Sequence, residues 1–357
     1  MNIGILGMPL TGKTTMFNLL TSQHKETELF SSRKGKNIGV VKVADERVDA
    51  LSSTYQPKKT IHANIEIIDI PGISSDMPDK VKQEVFNQIQ NVDALLVVIR
   101  VFNDSRIPGS TDPLYQVESL IYEILLRDLE VIENRIARLG ESKRKLTNQE
   151  EMEKQILERC QKHLSSDQLL ITQDLSEEEL KLLSGFRFFT LKPVIFAINL
   201  DEKNINDNKF PNHKKFSQFI QDHQMASISV CGKLEMEINE LSEEERKVFL
   251  EDLGFKETGI ERLSRVLYEH LGLISFFTVG KDEVKAWTIY KGTTAIKAAG
   301  KIHSDIERGF IRAEVVRFLD FIQYKSMPKI KEKGLLNIEG KDYLIEDGDI
   351  VNFRFNV

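Results

Sequence analysis

The sequence predicts an α/β fold interrupted by a helical hairpin and followed by a smaller, strand-rich domain. Three observations carry this. The amino-terminal stretch "GILGMPLTGKTTMFNLL" (residues 4–20) runs from an apolar strand through a glycine turn into an apolar-periodic helix. A second, β-branched strand in "ANIEIIDIPG" (63–72) ends in Asp-x-x-Gly. Between Asp112 and Leu191 the short apolar runs give way to helical spacing. The expected division is 1–111, 112–190, 191–273 and 274–357, with the first and third stretches forming one domain around the inserted hairpin.

A chain of 357 residues has room for two or three domains with cores of their own. Hydrophobic residues at 41% and charged residues at 29% are ordinary for a globular protein, and no apolar run is long enough to span a bilayer. "MNIGILGMPL" goes directly into a glycine-interrupted strand instead of a cationic leader, so a cytoplasmic location is expected and a membrane is not. Two cysteines, Cys160 and Cys231, fit a reducing compartment and are too few to build a metal site by themselves. A net charge of −6 argues against broad adhesion to nucleic acid, and DNA is not an expected partner. Short basic runs at 33–36 ("RKGK"), 143–145 ("KRK") and 329–333 ("KIKEK") each read, alone, as solvated loops.

Gly7, Gly12, Lys13 and Thr14 fit G-x-x-x-x-G-K-[ST] in full. Strand, glycine turn and helix start aim backbone N–H groups and the positive end of a helix dipole at one point, which suits a triphosphate. The loop Gly7, Met8, Pro9, Leu10, Thr11, Gly12 and the helix start Lys13, Thr14, Thr15 are therefore the candidate phosphate-binding residues. Lys13 would reach the β- and γ-phosphates and the Thr14 hydroxyl would ligate Mg²⁺. Asp69 would hold the metal from the other side through water, and the Gly72 amide would sense a γ-phosphate. The catalytic candidates are thus Lys13, Thr14, Asp69 and Gly72, and the metal candidates Thr14 and Asp69. Further on, the strand "VIFAI" is followed by Asn199, Leu200, Asp201 and Glu202. GTP-binding proteins usually carry N-K-x-D here; with Leu200 for the lysine and the longer Glu202 for the aspartate, guanine specificity is in doubt.

These residues resemble the Obg-like ATPase (YchF) family. "NIGVVKVADERVDAL" (37–51), "VVIRVF" (97–102), "NLDE" (199–202) and "KLEMEINELSEEER" (233–246) follow family segments in the same order. The most specific match is "VKAWTIYKGTTAIKAAGKIHSDIERGFIRAEV" (284–315) with "EGKDYLIEDGDIVNFRFNV" (339–357). The resemblance implies a P-loop G domain that prefers ATP, an inserted antiparallel helical hairpin, a carboxy-terminal TGS domain with a β-grasp-like fold, Mg²⁺, and association with ribosomes. It also implies that Asn199 and Leu200 contact the adenine, that Phe102 packs on its face, and that Cys231, Gly232 and Lys233 close the base pocket, with Glu202 beside them.

This chain departs from that family in its phosphate loop and switches. The family's asparagine in the phosphate loop, associated with a monovalent cation, is Leu10 here, which offers no oxygen. The segment after Gly72, "ISSDMPDKVKQEVFNQ", lacks the family's glycine-rich run, and "RKGK" stands where relatives carry a threonine. Ile73 occupies the place of the water-orienting glutamine of Ras-like enzymes, a replacement usual in the family. A slow ATPase follows, with Lys13, Mg²⁺ and backbone donors supplying the catalysis. A GTPase with Glu202 in place of the aspartate, and a nucleotide-sensing module without useful hydrolysis, are the alternatives.

In the inserted region Tyr122, Leu125, Leu129, Ile132, Ile136 and Leu139 trace a heptad seam, faced by Met152, Ile156, Cys160 and Leu164 on a returning helix. Thr147 with Glu150, Ser176 with Glu179 and Ser242 with Glu245 are spaced as capping boxes. The basic hairpin tip, Lys143, Arg144 and Lys145, together with the TGS domain, is the expected contact with RNA or the ribosome. Trp287 is expected to fill the small last core, while His303, Asp305 and Glu307 fall on different helix faces and read as no metal site.

Overall fold

The computed structural model describes residues 1–22, 37–74, 76–142 and 144–356. The basic run at 33–36 and Lys143 lie outside the described residues. In chain order the strands are β1 (Asn2–Leu6), β2 (Asn37–Lys42), β3 (Lys59–Ile61), β4 (Asn64–Asp69), β5 (Ala94–Arg100), β6 (Val194–Asn199), β7 (Ala226–Val230), β8 (Leu273–Val279), β9 (Glu283–Tyr290), β10 (Phe310–Arg317), β11 (Asn337–Glu339) and β12 (Asp349–Phe355). The first five helices are α1 (Lys13–Thr21), α2 (Glu46–Tyr55), α3 (Asp79–Ile89), α4 (Pro113–Gly140) and α5 (Asn148–Leu164).

One sheet has the order β2-β4-β1-β5-β6-β7, with β4, β1, β5, β6 and β7 mutually parallel along it. Strands β5 and β6 are buried at every position, as expected of central parallel strands covered on both faces, and their sequences are correspondingly apolar throughout. The register sets Ile5 beside Asp69, Leu6 beside Val97 and Arg100 beside Asn199. Parallel pairing therefore delivers the ends of β1, β4, β5 and β6, with the loops that follow them, to one edge of the sheet, where such folds bind ligands.

Helices α4 and α5 form the hairpin. Leu125 and Ile132 share a core with Ile156, Leu157, Cys160 and Leu164, with Leu129 and Ile136 packed against it. Two seam expectations are corrected: Tyr122 is 56% and Met152 49% exposed. At its root α4 turns Val117, Leu120, Ile121 and Ile124 onto the sheet's core, which rotates Tyr122 outward. Met152 stands near the tip, in the first turns of α5. The three capping boxes form as read: in each, the cap hydroxyl accepts from the amide of the glutamate three residues on, and that glutamate's carboxylate accepts from the cap residue's amide. Asp128 points inward from α4 and accepts hydrogen bonds from the Phe189 amide (3.1 Å), the Thr190 amide (2.7 Å) and the Thr190 hydroxyl (2.7 Å). It ties the first arm to the segment through which the chain re-enters the sheet.

The chain divides into two units, residues 1–40 with 66–263 and residues 41–65 with 264–357. In the second unit the sheet order is β11-β10-β12-β8-β9-β3. Strands β8 and β9 form an antiparallel hairpin, β12 lies parallel to β8, and β10 runs antiparallel to β12. The helix Ala295–Ile302 covers one face through Ala295, Ala298 and Ala299, packed with Phe276, Val315, Val351 and Phe353. That arrangement is a β-grasp. Residues 41–65, read from sequence as part of the first domain, join it: β3 extends the sheet beside β9, and Tyr55 stacks on Phe321 at 5.4 Å. The Arg47 guanidinium lies 5.2 Å from the Phe277 ring centroid and pairs with Asp347 at 2.7 Å. Trp287 flanks this core instead of filling it: the centre belongs to Phe276, on which the half-buried indole stacks. His303 accepts from the Asp305 amide, Asp305 pairs with Arg308, and Glu307 pairs with Lys297.

Candidate nucleotide-binding site

The loop after β1 needs its glycines. Gly7 and Gly12 have φ of 147° and 93°, and a Cβ would lie 2.4 Å from the Val98 carbonyl oxygen in the first case and 2.5 Å from Asn199 Nδ2 in the second. Leu10, at φ 63°, holds a left-handed conformation that a leucine adopts only at a cost. With Gly12 as cap residue, no side chain caps α1, so its first amides are left to another acceptor. Thr11 Oγ1 donates to the Met8 carbonyl at 3.1 Å, bracing the loop from within.

Lys13 is buried and donates to the Met8 carbonyl at 2.7 Å. Burial lowers its pKa to about 8, against the opposing charge of Asp69. Thr14 Oγ1 donates to Asp69 Oδ2 at 3.2 Å. A Cβ at Gly72 would lie 2.7 Å from the Pro9 nitrogen and 2.8 Å from Lys13 Nζ, so only glycine keeps that cradle open. The Ile73 amide donates to the Gly7 carbonyl at 3.0 Å while its side chain enters the core. All four catalytic candidates therefore converge on one point, at which no side-chain base is offered by Ile73.

At the other end of the loop Asn199 acts as a brace. Its Nδ2 donates to the Thr11 carbonyl at 3.1 Å and its Oδ1 accepts from the Gly232 amide at 3.0 Å, joining the phosphate loop to the segment Cys231–Lys233. The Gly232 α-carbon also faces Thr15, whose Cγ2 would be 3.5 Å from an added Cβ. Leu200 is 1% exposed and packs in the sheet's core, so its side chain is given to packing, which its apolar character in a buried turn favours. The Phe102 amide donates to the Asn199 carbonyl at 3.1 Å, and its half-buried ring lies at the same edge. Glu202 pairs with Lys233 at 2.6 Å, both side chains exposed. Cys231 is buried, and burial pushes its thiol upward. Sequence reading missed the bracing role of Asn199 and a buried arginine, Arg100, whose signal was a lone cation closing an otherwise apolar strand.

Residues 2–135 match the family model described as a 50S ribosome-binding GTPase, and residues 273–356 match the YchF-GTPase_C model, described as a protein of unknown function. The ribosome-binding ATPase YchF of Bacillus subtilis (strain 168) is 36% identical over 361 residues, covering 99% of each chain. This chain belongs to the YchF family. The ribosome-binding ATPase YchF of Escherichia coli O157:H7 is 36% identical over 360 residues, again with 99% of both chains covered. Among solved structures, the YchF GTPase of Schizosaccharomyces pombe superposes with a TM-score of 0.87 at 28% identity, covering 99% of this chain and 97% of that one. The YchF relationship thus spans both units, and the expected α/β architecture with its G domain holds across the whole length.

Proposed function

We propose that this YchF-family chain binds ATP with Mg²⁺, hydrolyses it slowly, and uses its nucleotide state to control association with ribosomes in the cytoplasm. The observation that carries the nucleotide reading is the convergence of Lys13, Thr14, Asp69 and the Gly72 cradle beneath an uncapped helix start. A hydroxyl and a carboxylate 3.2 Å apart are both hard oxygen donors and fit Mg²⁺, which keeps several waters and takes few protein ligands. The ion would be held by Thr14, with Asp69 behind it, and would supply charge neutralisation on the phosphates. Ribosome association rests on the printed names of the curated relatives. The hairpin tip and the β-grasp unit are the contacts we propose for it. At the tip, Arg144 is already paired with Glu150, which leaves Lys145 as the more available described cation.

Adenine is preferred over guanine on chemical grounds. A guanine needs an acceptor for two N–H groups; here the only carboxylate at the N-x-x-E position, Glu202, is held by Lys233, and Leu200 has turned inward. Calorimetric titration with ATP, GTP and their diphosphates tests this. ATP should bind about tenfold or more tightly than GTP, a difference of about 1.4 kcal/mol; equal affinities or a GTP preference would overturn the assignment.

Phe102 is the proposed stacking platform for the base. Phe102→Ala should weaken ATP by about 1–3 kcal/mol, the range for base–aromatic stacking. Unchanged affinity in the same titration would remove that role.

A further inference from the structure

Arg100 closes β5 with its side chain turned into the protein, 4% exposed, and no carboxylate lies within ion-pair distance of it among the described residues. The nearest opposing charge, Asp104, acts on it only at a distance and is itself paired with Arg106; a buried guanidinium without a direct ion pair is an expensive choice, and what its donors do instead is specific. Its Nη1 donates to the Ile107 carbonyl (3.3 Å) and its Nη2 to the carbonyls of Pro108 (3.0 Å) and Gly109 (2.8 Å). The loop 101–109 is thereby wrapped around one fork of donors, a geometry that a lysine's point charge would not reproduce. Phe102 sits in that loop, its ring centroid 6.0 Å from the guanidinium carbon. The main chain of Arg100 is fixed in turn by Gln116 in the first turn of α4: the Arg100 amide donates to Oε1 at 2.9 Å, and Nε2 donates to the Arg100 carbonyl at 2.7 Å.

We infer that Arg100 is a positioning residue for the nucleotide base, holding the 101–109 loop so that Phe102 presents its face at the pocket edge, with Gln116 tying that loop to the root of the hairpin. This rests on the stacking reading of Phe102 given above. The guanidinium acts through the loop and touches no reacting atom. Because the Val101 and Phe102 amides both donate to the Asn199 carbonyl (2.9 and 3.1 Å), the loop and the phosphate-loop brace share one anchor. Gln116 and Arg100 therefore give movement of the hairpin root a route to the base pocket that does not pass through the phosphates.

The test is a calorimetric series on the full chain with two probes, ATP and inorganic triphosphate, which has no base. Arg100→Met keeps length and removes the donors; Gly109→Ala strains the loop at φ 99° and leaves the arginine in place. Both should weaken ATP, Arg100→Met by about tenfold, while triphosphate affinity stays at the wild-type level. In a Phe102→Ala background the Arg100→Met effect should largely vanish, since both act on one contact. Wild-type ATP affinity in folded Arg100→Met or Gly109→Ala, beside a weakened Phe102→Ala, would overturn the inference, as would equal loss of ATP and triphosphate. A Phe102→Ala chain with wild-type ATP affinity would instead overturn the stacking reading and take the inference with it. Should Arg100→Met fail to fold, Gly109→Ala decides.

Discussion

Lys13→Ala should lower single-turnover ATP hydrolysis by at least about a hundredfold, the usual consequence of removing one charged donor from a transferring phosphoryl group. The geometry explains why nothing nearby substitutes. The ammonium is buried, one of its protons goes to the Met8 carbonyl at 2.7 Å, and the Gly72 cradle beside it has no room for another side chain. Burial lowers its pKa to about 8 in the free protein, because a charged amine is poorly solvated there. An anionic phosphate would restore the charge, so binding takes up a proton wherever the free amine is partly neutral. ATP affinity should accordingly fall as pH rises above about 8, and this dependence should disappear in Lys13→Ala. For folding the sign is opposite: between about 8 and 10.5 the unfolded chain binds more protons than the native one, so this residue's contribution to stability rises with pH across that window. Quenched-flow hydrolysis and pH-dependent titrations provide the measurement. Indistinguishable rates for the two chains would leave a nucleotide-binding module with no enzyme in it.

What could be read from the sequence was whatever its chemistry keeps local. The phosphate loop, the Asp69–Gly72 turn, the two hairpin arms and three capping boxes are each determined by residues within a few turns of one another, and all of them are found. What could not be read depends on partners far along the chain. Strand β3 is three residues long and gains its place only by pairing with β9 more than two hundred positions later. Asn199 carries the same name whether it reads a base or braces Thr11 to Gly232, and only the fold decides that both amide atoms are engaged. Tyr122 obeys the heptad spacing yet faces solvent, because near its root α4 answers to the sheet's core and not to α5. Periodicity reports that a helix has an apolar face; it does not report which neighbour claims each turn of it.

Asp128→Asn should destabilise the hairpin root by about 1–3 kcal/mol, the range for leaving a buried donor unsatisfied. Asp128 is 2% exposed and accepts three hydrogen bonds, from the Phe189 amide, the Thr190 amide and the Thr190 hydroxyl. An asparagine must set its NH₂ against one of the two backbone amides; the Thr190 hydroxyl can rotate to accept, but neither amide can. Thr190→Val, which removes only the hydroxyl, should cost closer to about 1 kcal/mol. Burial pushes the Asp128 carboxyl up to about 6, while the three donors and Lys192 pull it the other way. The native chain therefore binds more protons than the unfolded one between about 4 and 6, and this residue's contribution to stability falls as pH rises through that window. Protonated, the carboxyl can donate to the Thr190 hydroxyl and still accept from both amides, which is why the acid form suits the site. The gap between wild type and Asp128→Asn should consequently be wider at pH 4.5 than at pH 7.5 in urea unfolding, and a gap that is absent, or constant with pH, would refute the account. The consequence reaches the nucleotide site, because Thr190 lies just before β6, the strand that ends in Asn199: loosening the bond between α4 and this return segment loosens the element that carries the brace of the phosphate loop.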